Sequence, residues 1–362
     1  MADKILLKNI ETPNLADIQV YQRLGGYRAL GKALRELKPD DVVKLVRDSG
    51  LRGRGGAYFP TGLKWGFLPK DDPRPRYLCV NCDESEPGTF KDRFLVVHDP
   101  HQVLEGVILS AYAIQAHTAY IYFRGEFVRA ADVMRKAIGQ ARERGFLGRN
   151  ILGSGFDLEV SVFLGAGAYI CGEETGLLNS IEGKRGEPRP RPPFPALHGL
   201  YKCPTIINNV ETLANVPHIV LHGPDWFKGF GTPKCPGTRL FAVSGHVKRP
   251  GVYELPMGTP LREIIFDHAG GMSNGHALKA VSPGGASAPI LTPAEIDVHM
   301  DVESIQAIGS MLGSGGVMVM DDTVCIVRVA CRLAEFFREE SCGQCVPCRE
   351  GTAWLMKVWR RI

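Results

Sequence analysis

Three cysteines at equal spacing are the residues of this sequence with the clearest chemistry. In "EESCGQCVPCREGTAW", residues 339–354, Cys342, Cys345 and Cys348 are separated by two residues each. Thiolates at this spacing can converge on one centre and are typical of iron–sulfur proteins, whereas zinc sites usually combine two separated pairs. A cubane cluster takes four thiolates, so the run supplies three. The pattern favours an iron–sulfur site, with zinc as the alternative.

A glycine-rich stretch, "LRGRGGAYFPTGLKW", is a candidate anion-binding loop. Gly53, Gly55 and Gly56 let the backbone approach a ligand closely and present N–H groups to it, and Lys64 follows where it could pair with a phosphate. No GK[ST] follows, and the chain lacks a complete G-x-G-x-x-G, so this is neither a P-loop nor a dinucleotide fingerprint. The alternative is a tight turn without a ligand.

An acidic stretch, "NCDESEPGTFKDR", directly follows an apolar run that reads as a strand. Asp83, Glu84 and Glu86 would repel phosphate, so their natural role is to accept hydrogen bonds from sugar hydroxyls. Ligands bind at the carboxyl ends of strands in open α/β sheets, which is where these acids would lie. The alternative is a solvated acidic turn.

A second glycine and acid pattern occurs in "GAGAYICGEETGLLNS", again after an apolar run. Here Gly172, Glu173 and Glu174 lead into a helix, where acids also complement the helix dipole. Because these loops follow successive segments of one α/β pattern, together they favour a site for a large polar cofactor.

The elements that would position these loops alternate along the chain. From residue 76, apolar strands and amphipathic helices follow one another, which predicts a parallel sheet covered on both faces. Residues 184–204 are rich in proline and predict an extended loop or linker without regular structure. A strand, a "KRPG" turn, a strand and a short helix then predict a compact β-grasp-like domain, and the chain becomes helical from about 324.

Composition bounds the class of protein. The chain has 362 residues, 44% of them hydrophobic and 23% charged, and its 43 basic and 39 acidic residues nearly balance. That balance gives no support for nucleic-acid binding, and no apolar run approaches the ~18 residues of a membrane span. The chain has ten cysteines and no signal-peptide pattern, which favours metal binding by the clustered cysteines over disulfides. We expect most of the scattered cysteines to be small buried residues.

Taken together, "RGRGGAYFPTGLKW", "NCDESEPGTFKDR", "GAYICGEETGLLNSIEGKRGEPRPRPPFPA", "TIINNVETLANV" and "ESCGQCVPCREGT" resemble the family of flavin-bearing, NADH-oxidising subunits of respiratory complex I. The resemblance runs from near residue 20 to the end. We therefore expect an α/β fold with a Rossmann-like parallel-sheet FMN and NADH domain at 1–228. A β-grasp domain of the ubiquitin-like SLBB type at 229–323 and the start of a helical iron–sulfur bundle at 324–362 would follow.

The resemblance also implies cofactor residues, position by position. It implies FMN binding by Gly53, Gly55, Gly56, Ala57, Lys64, Asn81, Asp83, Glu84, Ser85, Asn208, Asn209 and Thr212. It implies NAD(H) binding by Phe59, Phe67 and Phe194 around the adenine, and by Glu86, Tyr169, Gly172, Glu173, Glu174 and Arg191 around the ribose and nicotinamide. Glu173 and Glu174 would act at the catalytic centre through their charge. Cys342, Cys345 and Cys348 would be three ligands of a [4Fe–4S] cluster.

Three departures from the family pattern are visible. Cys82 stands where the family has a small residue, and Arg191 stands where it usually has Lys. The fourth cluster cysteine lies, in the family, further along a helical bundle, so we expect it to be absent here and the chain to be incomplete. Cys325 and Cys331 are not assigned in its place.

The activity implied is NADH dehydrogenase, the electron input of an NADH:quinone oxidoreductase. Hydride would pass from NADH to FMN, and single electrons would then pass to the [4Fe–4S] cluster and on toward quinone. The expected partners are a thioredoxin-like [2Fe–2S] subunit and a large multi-cluster iron–sulfur subunit, in a complex peripheral to the cytoplasmic side of the inner membrane. The alternatives are a diaphorase subunit of an NAD-linked hydrogenase or formate dehydrogenase, a zinc-binding scaffold, and an NADH-oxidising flavoprotein without onward electron transfer.

Overall fold

The computed structural model describes residues 4–362, apart from the side chain of Asn274, so the first three residues of the predicted 1–228 domain lie outside the described residues. The helices are α1 Ile18–Arg23, α2 Arg28–Glu36, α3 Pro39–Asp48, α4 Thr61–Trp65, α5 Lys91–His98, α6 Pro100–Ile114, α7 Val128–Glu143, α8 Glu174–Ile181, α9 Pro195–His198, α10 Val210–Ala214, α11 Val216–His222, α12 Pro224–Lys228, α13 Leu261–Glu263, α14 Val302–Ala307, α15 Ile326–Glu339 and α16 Val346–Trp359. The strands are β1 Tyr77–Cys82, β2 Thr118–Phe123, β3 Glu159–Leu164, β4 Thr205–Asn209, β5 Gly231–Thr232, β6 Cys235–Pro236, β7 Thr238–Gly245, β8 Gly251–Pro256, β9 Leu278–Ser282 and β10 Gly316–Asp321.

The first sheet is parallel and has the order β3-β2-β1-β4. Its strands carry the apolar runs of the sequence, and the central strand β1 is buried on both faces because helices cover them. Helix α6 is buried along almost its whole length, as an apolar helix beneath a sheet must be. The carboxyl ends of β1 and β4 therefore open at one edge of the sheet, where loops can gather a ligand.

A second sheet, β8-β7-β10-β9, belongs to the predicted β-grasp region. Strand β10 pairs parallel with β7, while β8 and β9 pair antiparallel with their neighbours. Its core is a separate apolar cluster that includes Phe241, Leu261 and Ile305.

Polar contacts fix the two sheet units against each other. Buried Glu254 on β8 accepts hydrogen bonds at 2.7–3.0 Å from the backbone N–H groups of Ile5, Leu6 and Leu7. Tyr58, just after the glycine loop, donates to the carbonyl of Gly313 at 2.9 Å. The loop that precedes β10 is thereby held beside the glycine loop.

Two helices end the chain, and the cysteine run spans the turn between them and the first turn of the second helix. Helices α15 and α16 pack together, with an ion pair of 2.6 Å from Arg360 to Glu335. Glu340, at the end of α15, accepts a hydrogen bond from the backbone N–H of Tyr169 at 3.0 Å. Of the helices in residues 4–362, none combines the length and apolar character that a membrane span requires.

The proline-rich segment differs in part from the prediction of no regular structure. Helix α9 and a 3₁₀ turn at Leu200–Lys202 lie inside residues 184–204. Pro195 occupies the first helical position of α9, where its missing N–H leaves no bond unmade and its fixed φ suits a helix. Arg185 and Gln344 tie this segment to the cysteine run through the carbonyls of Cys342 and Pro188.

Candidate functional site

A cleft opens at the carboxyl ends of β1 and β4, against the loop that precedes β10. It encloses about 730 Å³, counting the solvent at its mouth. The predicted residues in its wall are Gly55, Asn81, Asp83, Glu84, Ser85, Glu86, Tyr169, Gly172, Glu173 and Asn209.

The glycine loop is shaped by backbone hydrogen bonds. Gly53 donates to the carbonyl of Phe59 at 2.9 Å, and Arg54 donates from its backbone to the hydroxyl of Thr212 at 2.8 Å. A Cβ at Gly55 would lie 3.1 Å from the Cβ of Asn209, and Gly56 has a φ of +124°, so both positions favour glycine. Ala57 follows directly, and the loop presents its main chain to the cleft.

Asp83 is the least satisfied polar group in the wall. Both carboxylate oxygens are buried without a hydrogen-bond partner among the described residues. Burial raises the pKa of Asp83 to about 7, against a lowering effect from Ser85 and the Arg124 guanidinium. Two acceptors without a partner, on a residue of the cleft wall, are suited to the hydroxyl groups of a ligand.

Glu84, predicted as an FMN ligand, has both carboxylate oxygens engaged by the protein. Its two oxygens accept hydrogen bonds from the backbone N–H groups of Asp92 and Arg93, at 2.8 and 3.0 Å, and so cap helix α5. Burial raises the pKa of Glu84. The side chain is in the cleft wall, but its acceptors are committed to the helix.

Asn208 and Thr212 support the wall from behind. The amide oxygen of Asn208 accepts a hydrogen bond from the indole of Trp65 at 2.8 Å. Thr212 holds the glycine loop, as described above, and both residues are buried. Their polar groups thus position the loop, while Asn81 donates to the carbonyl of Gly172 at 2.8 Å within the cleft.

An ion-pair network joins the predicted acids to two cations. Arg191 donates to Glu173 at 2.9 Å and to Glu174 at 2.8 Å, one carboxylate for each Nη atom. Lys64 pairs with the second oxygen of Glu174 at 2.8 Å and donates to the carbonyl of Ile207 at 2.9 Å. Glu173 also caps helix α8 by accepting from backbone N–H groups. Lys64, predicted as an FMN ligand, therefore contacts Glu174, a carboxylate predicted to line the nucleotide site.

The β-grasp-like unit contributes residues that the sequence analysis missed. Ser287 donates to Glu86 from its backbone N–H at 2.6 Å and from its hydroxyl at 2.5 Å, and the hydroxyl of Tyr169 bonds the other Glu86 oxygen. Ser314 lines the cleft and contacts the hydroxyl of Thr89. The "PGGASAP" and "LGSGG" turns were the available signals, but nothing in them indicates which cleft they face.

Lys91 and Asp92 in the cleft wall were also missed. Both belong to the quoted "GTFKDR" stretch, and both are buried. Their position next to the acidic motif was the only signal, because a lysine on a helix is normally solvated.

The three predicted adenine-stacking rings are exposed. Phe59, Phe67 and Phe194 are 44%, 52% and 57% exposed, and the first two lie 5.9 Å apart between ring centroids. Exposed aromatic faces of this kind can stack on a flat base. No such exposure is expected of rings that serve core packing.

The cysteine run fits an iron–sulfur cluster by donor chemistry. Cys342, Cys345 and Cys348 are free thiols at or near the surface: Cys342 lies on the turn before α16, Cys345 is its N-cap and Cys348 lies in its first turn. The hydroxyl of Ser341 lies 3.3 Å from the sulfur of Cys348. Within residues 4–362, no three His, Cys, Asp or Glu side chains are gathered closely enough to hold a metal ion, so the donor types fit while their convergence is not seen.

The cleft residues can likewise be compared with the chemistry of a flavin. A main-chain loop with glycine required at Gly55 and Gly56, and acceptors on Asp83 that have no partner among the described residues, both fit a large polar cofactor such as FMN. Of the seven cysteines outside the run, Cys79, Cys82, Cys171 and Cys235 are buried and fit the structural alternative, whereas Cys203 and Cys331 are partly exposed and Cys325 is exposed.

Family models match three parts of the chain. The Nuo51 FMN-binding domain matches residues 46–218, the SLBB domain matches 240–291, and the NADH-ubiquinone oxidoreductase-F iron–sulfur binding region matches 328–362. The fold class expected from the motifs is confirmed, and so are the classes of cofactor: FMN, NAD(H) and a [4Fe–4S] cluster.

A solved structure gives the same architecture. A chain in the crystal structure of an NAD⁺-reducing [NiFe]-hydrogenase in the H2-reduced state has a TM-score of 0.85 and 36% identity, over 99% of this chain. This chain spans 57% of the length of that hydrogenase chain.

This chain aligns with most of the length of its curated relatives. The second NADH-quinone oxidoreductase F subunit of Rhizobium meliloti (strain 1021) is 57% identical over 100% of this chain and 86% of its own length. The F subunit of Escherichia coli (strain K12) is 50% identical over 94% of this chain and 77% of its own length. The motif resemblance is thus confirmed, and the chain belongs to the family of NADH-quinone oxidoreductase F subunits.

Proposed function

We propose that this chain is the NADH-oxidising, electron-input subunit of an NADH-quinone oxidoreductase. The observation that carries the proposal is a cleft lined by Gly55 of the glycine loop and by Asp83, whose carboxylate has no partner among the described residues, within a chain of the F-subunit family. When bound, FMN accepts hydride from NADH and releases electrons one at a time, and the protein supplies position and electrostatics.

The residues proposed to hold FMN fall into two groups. Gly55, Asn81, Asp83, Ser85 and Asn209 would contact it from the cleft wall. Gly53, Gly56, Ala57, Asn208 and Thr212 would shape or support that wall, and Glu84 would do so by capping α5.

The nucleotide would enter over the ion-pair network. Phe59, Phe67 and Phe194 present exposed faces to an adenine, and stacking on aromatic rings gains energy without a dinucleotide fingerprint. Glu86, held by Tyr169 and Ser287, offers carboxylate oxygens to ribose or amide groups. Glu173 and Glu174, with Arg191 and Lys64 as counter-ions, would tune binding by charge and transfer no proton.

Cys342, Cys345 and Cys348 would hold the [4Fe–4S] cluster that takes electrons from this site. The family makes the chain one subunit of a multi-subunit complex. We propose a thioredoxin-like [2Fe–2S] subunit and a large multi-cluster iron–sulfur subunit as the neighbours, and a peripheral position on the cytoplasmic side of the inner membrane.

A diaphorase role in a hydrogenase complex is the second candidate, favoured by the 36% identity to the hydrogenase chain. It would use the same flavin site and differ only in the acceptor. The first candidate is favoured by the higher identity, 57%, to a subunit of an NADH-quinone oxidoreductase.

The test is an anaerobic visible spectrum of the purified chain before and after addition of NADH, with NADPH as the matched control. We expect flavin bands that bleach with NADH at lower concentration than with NADPH. A chain without flavin bands, or with bands that NADH leaves unchanged, would contradict the proposal.

A further inference from the structure

A lysine that is only 1% exposed forms part of the cleft wall. Lys91 is the first residue of α5, and its ammonium lies 2.8 Å from an oxygen of Asp92 and 2.7 Å from an oxygen of Glu211. Both carboxylates are buried as well. A buried ammonium is stable only when carboxylates balance it at such distances, so these three residues form one charge cluster.

The charge cluster reaches the cleft surface through Asn209. The second oxygen of Asp92 accepts a hydrogen bond from the Asn209 amide at 2.6 Å, and the Asn209 oxygen accepts from the backbone N–H of Glu211 at 3.0 Å. The orientation of this amide is therefore set by Asp92 and, through it, by Lys91. Asn209 is one of the residues proposed to contact FMN.

Two further ionisable groups lie beside the cluster: Glu84, whose pKa is raised by burial and by the nearby Asp92, and Arg54. Arg54 is fully buried, and its guanidinium donates to the carbonyl of Pro236 at 2.8 Å, behind the glycine loop. The charges of Lys91, Arg54, Asp92 and Glu211 balance as two positive and two negative. Loss of the Lys91 charge would leave two buried carboxylates facing a single arginine at the cleft wall.

We propose that Lys91 is a positioning residue that sets the redox potential of bound FMN, by neutralising Asp92 and Glu211 and by fixing the Asn209 amide. This inference rests on the proposed flavin site. A two-electron reduction adds negative charge to a flavin, so uncompensated carboxylates nearby disfavour the reduced form. Lys91 thus offsets negative charge in the cleft wall and keeps FMN easier to reduce.

The experiment measures the midpoint potential of FMN in the purified full chain and in the variants Lys91→Met and Glu211→Gln. Lys91→Met removes the cation and should shift the potential to more negative values, so that reduced FMN loses about tenfold more affinity than oxidised FMN. Glu211→Gln removes one carboxylate and should shift the potential in the opposite direction. The double variant should lie between the two.

The outcomes separate the inference from the proposed function. If the parent chain binds FMN and both single variants keep its potential, Lys91 is merely structural and the inference is wrong. If Lys91→Met fails to fold, the inference is tested by Glu211→Gln alone: a shift of the midpoint potential to more positive values supports it, and a shift to more negative values contradicts it. A parent chain that binds no FMN overturns the proposed function and this inference with it.

Discussion

Glu86 and Ser287 join two folding units across the cleft. One oxygen of Glu86 accepts two hydrogen bonds from Ser287, at 2.6 Å from the backbone N–H and 2.5 Å from the hydroxyl, although 201 positions separate the residues. The β-grasp-like unit therefore orients a carboxylate proposed to bind the nucleotide.

Ser287→Ala should raise the KM for NADH with little effect on FMN content. The variant removes the hydroxyl donor and leaves the backbone donor, so the carboxylate is less firmly held. A hydrogen bond of this kind is worth about 1 kcal/mol, or roughly a fivefold rise in KM. Ser244→Ala, on β7 outside the cleft, is the matched control and should behave as the parent. An unchanged KM in Ser287→Ala would contradict this role.

Arg191→Lys should weaken NADH binding because one ammonium cannot replace a planar fork. Arg191 contacts Glu173 and Glu174 through separate Nη atoms, and Lys presents a point charge. Since these side chains are partly exposed, we expect a change below about 1 kcal/mol in stability. The NADH dissociation constant should rise severalfold and become more sensitive to salt.

Arg262→Lys is the matched control for that experiment. Arg262 contacts both oxygens of Asp297 in the β-grasp-like unit, at 2.5 and 3.1 Å, and lies outside the cleft. It should leave NADH binding unchanged. Equal effects of the two variants would indicate a general surface-charge effect.

Glu174→Gln should change nicotinamide affinity more than flavin content. The variant releases Lys64 and Arg191 from the shared carboxylate, which alters the charge on the nucleotide side of the cleft. Glu303→Gln, which breaks the 2.9 Å ion pair with Arg52, is the control. NADH titration and flavin content of each purified variant provide the readout. Equal loss of both would argue against the assignment.

The parallel sheet and the place of the cleft were predictable from sequence because local patterns carry them. Apolar runs alternating with amphipathic helices dictate a covered parallel sheet, and ligand loops follow the carboxyl ends of its strands. The motif from Asn81 to Ser85 could therefore be placed at the cleft from the order of its residues alone.

The support of the cleft was not predictable in the same way. Thr212 and Asn208 bond the protein rather than face the cleft, and local sequence does not fix where a side chain points. Lys91 is buried because two carboxylates surround it, one of them Glu211 from a distant helix. Such long-range pairing leaves no periodic signal in the sequence.

Asp83 should make the flavin-free chain less stable as pH rises. Burial raises its pKa from 3.8 to about 7, so between these values the folded state holds a proton that the unfolded state has lost. The free energy of unfolding then falls across this pH window, by at most about 4 kcal/mol from this group. Asp83→Asn should remove that contribution, measured by denaturant unfolding at pH 4 and pH 8.

Asp99→Asn is the matched control for Asp83. Burial also raises the pKa of Asp99 to about 7, but this residue caps helix α6 outside the cleft. Both variants should flatten the pH dependence, while only Asp83→Asn should weaken FMN binding. If FMN binds Asp83→Asn as tightly as the parent, the orphaned carboxylate does not hold the cofactor.

The cysteine run should carry iron independently of the flavin. Serine variants of Cys342, Cys345 and Cys348 should each lower iron and acid-labile sulfide relative to the parent chain, because a hydroxyl is a poor substitute for a thiolate on iron. Flavin content should remain, since the FMN-binding domain match ends at residue 218 and the run lies in a separate helical pair.

The variants Cys325→Ser and Cys331→Ser test whether iron binding depends only on the three cysteines of the run. Both residues lie at or in α15 and precede the run, and neither was assigned to the cluster. If the iron content falls only in the variants of Cys342, Cys345 and Cys348, these three thiolates bind one cluster together. Their side chains then converge when the cluster binds. Loss of iron in Cys331→Ser as well would instead identify a ligand on α15, and would contradict a site built from the run without it.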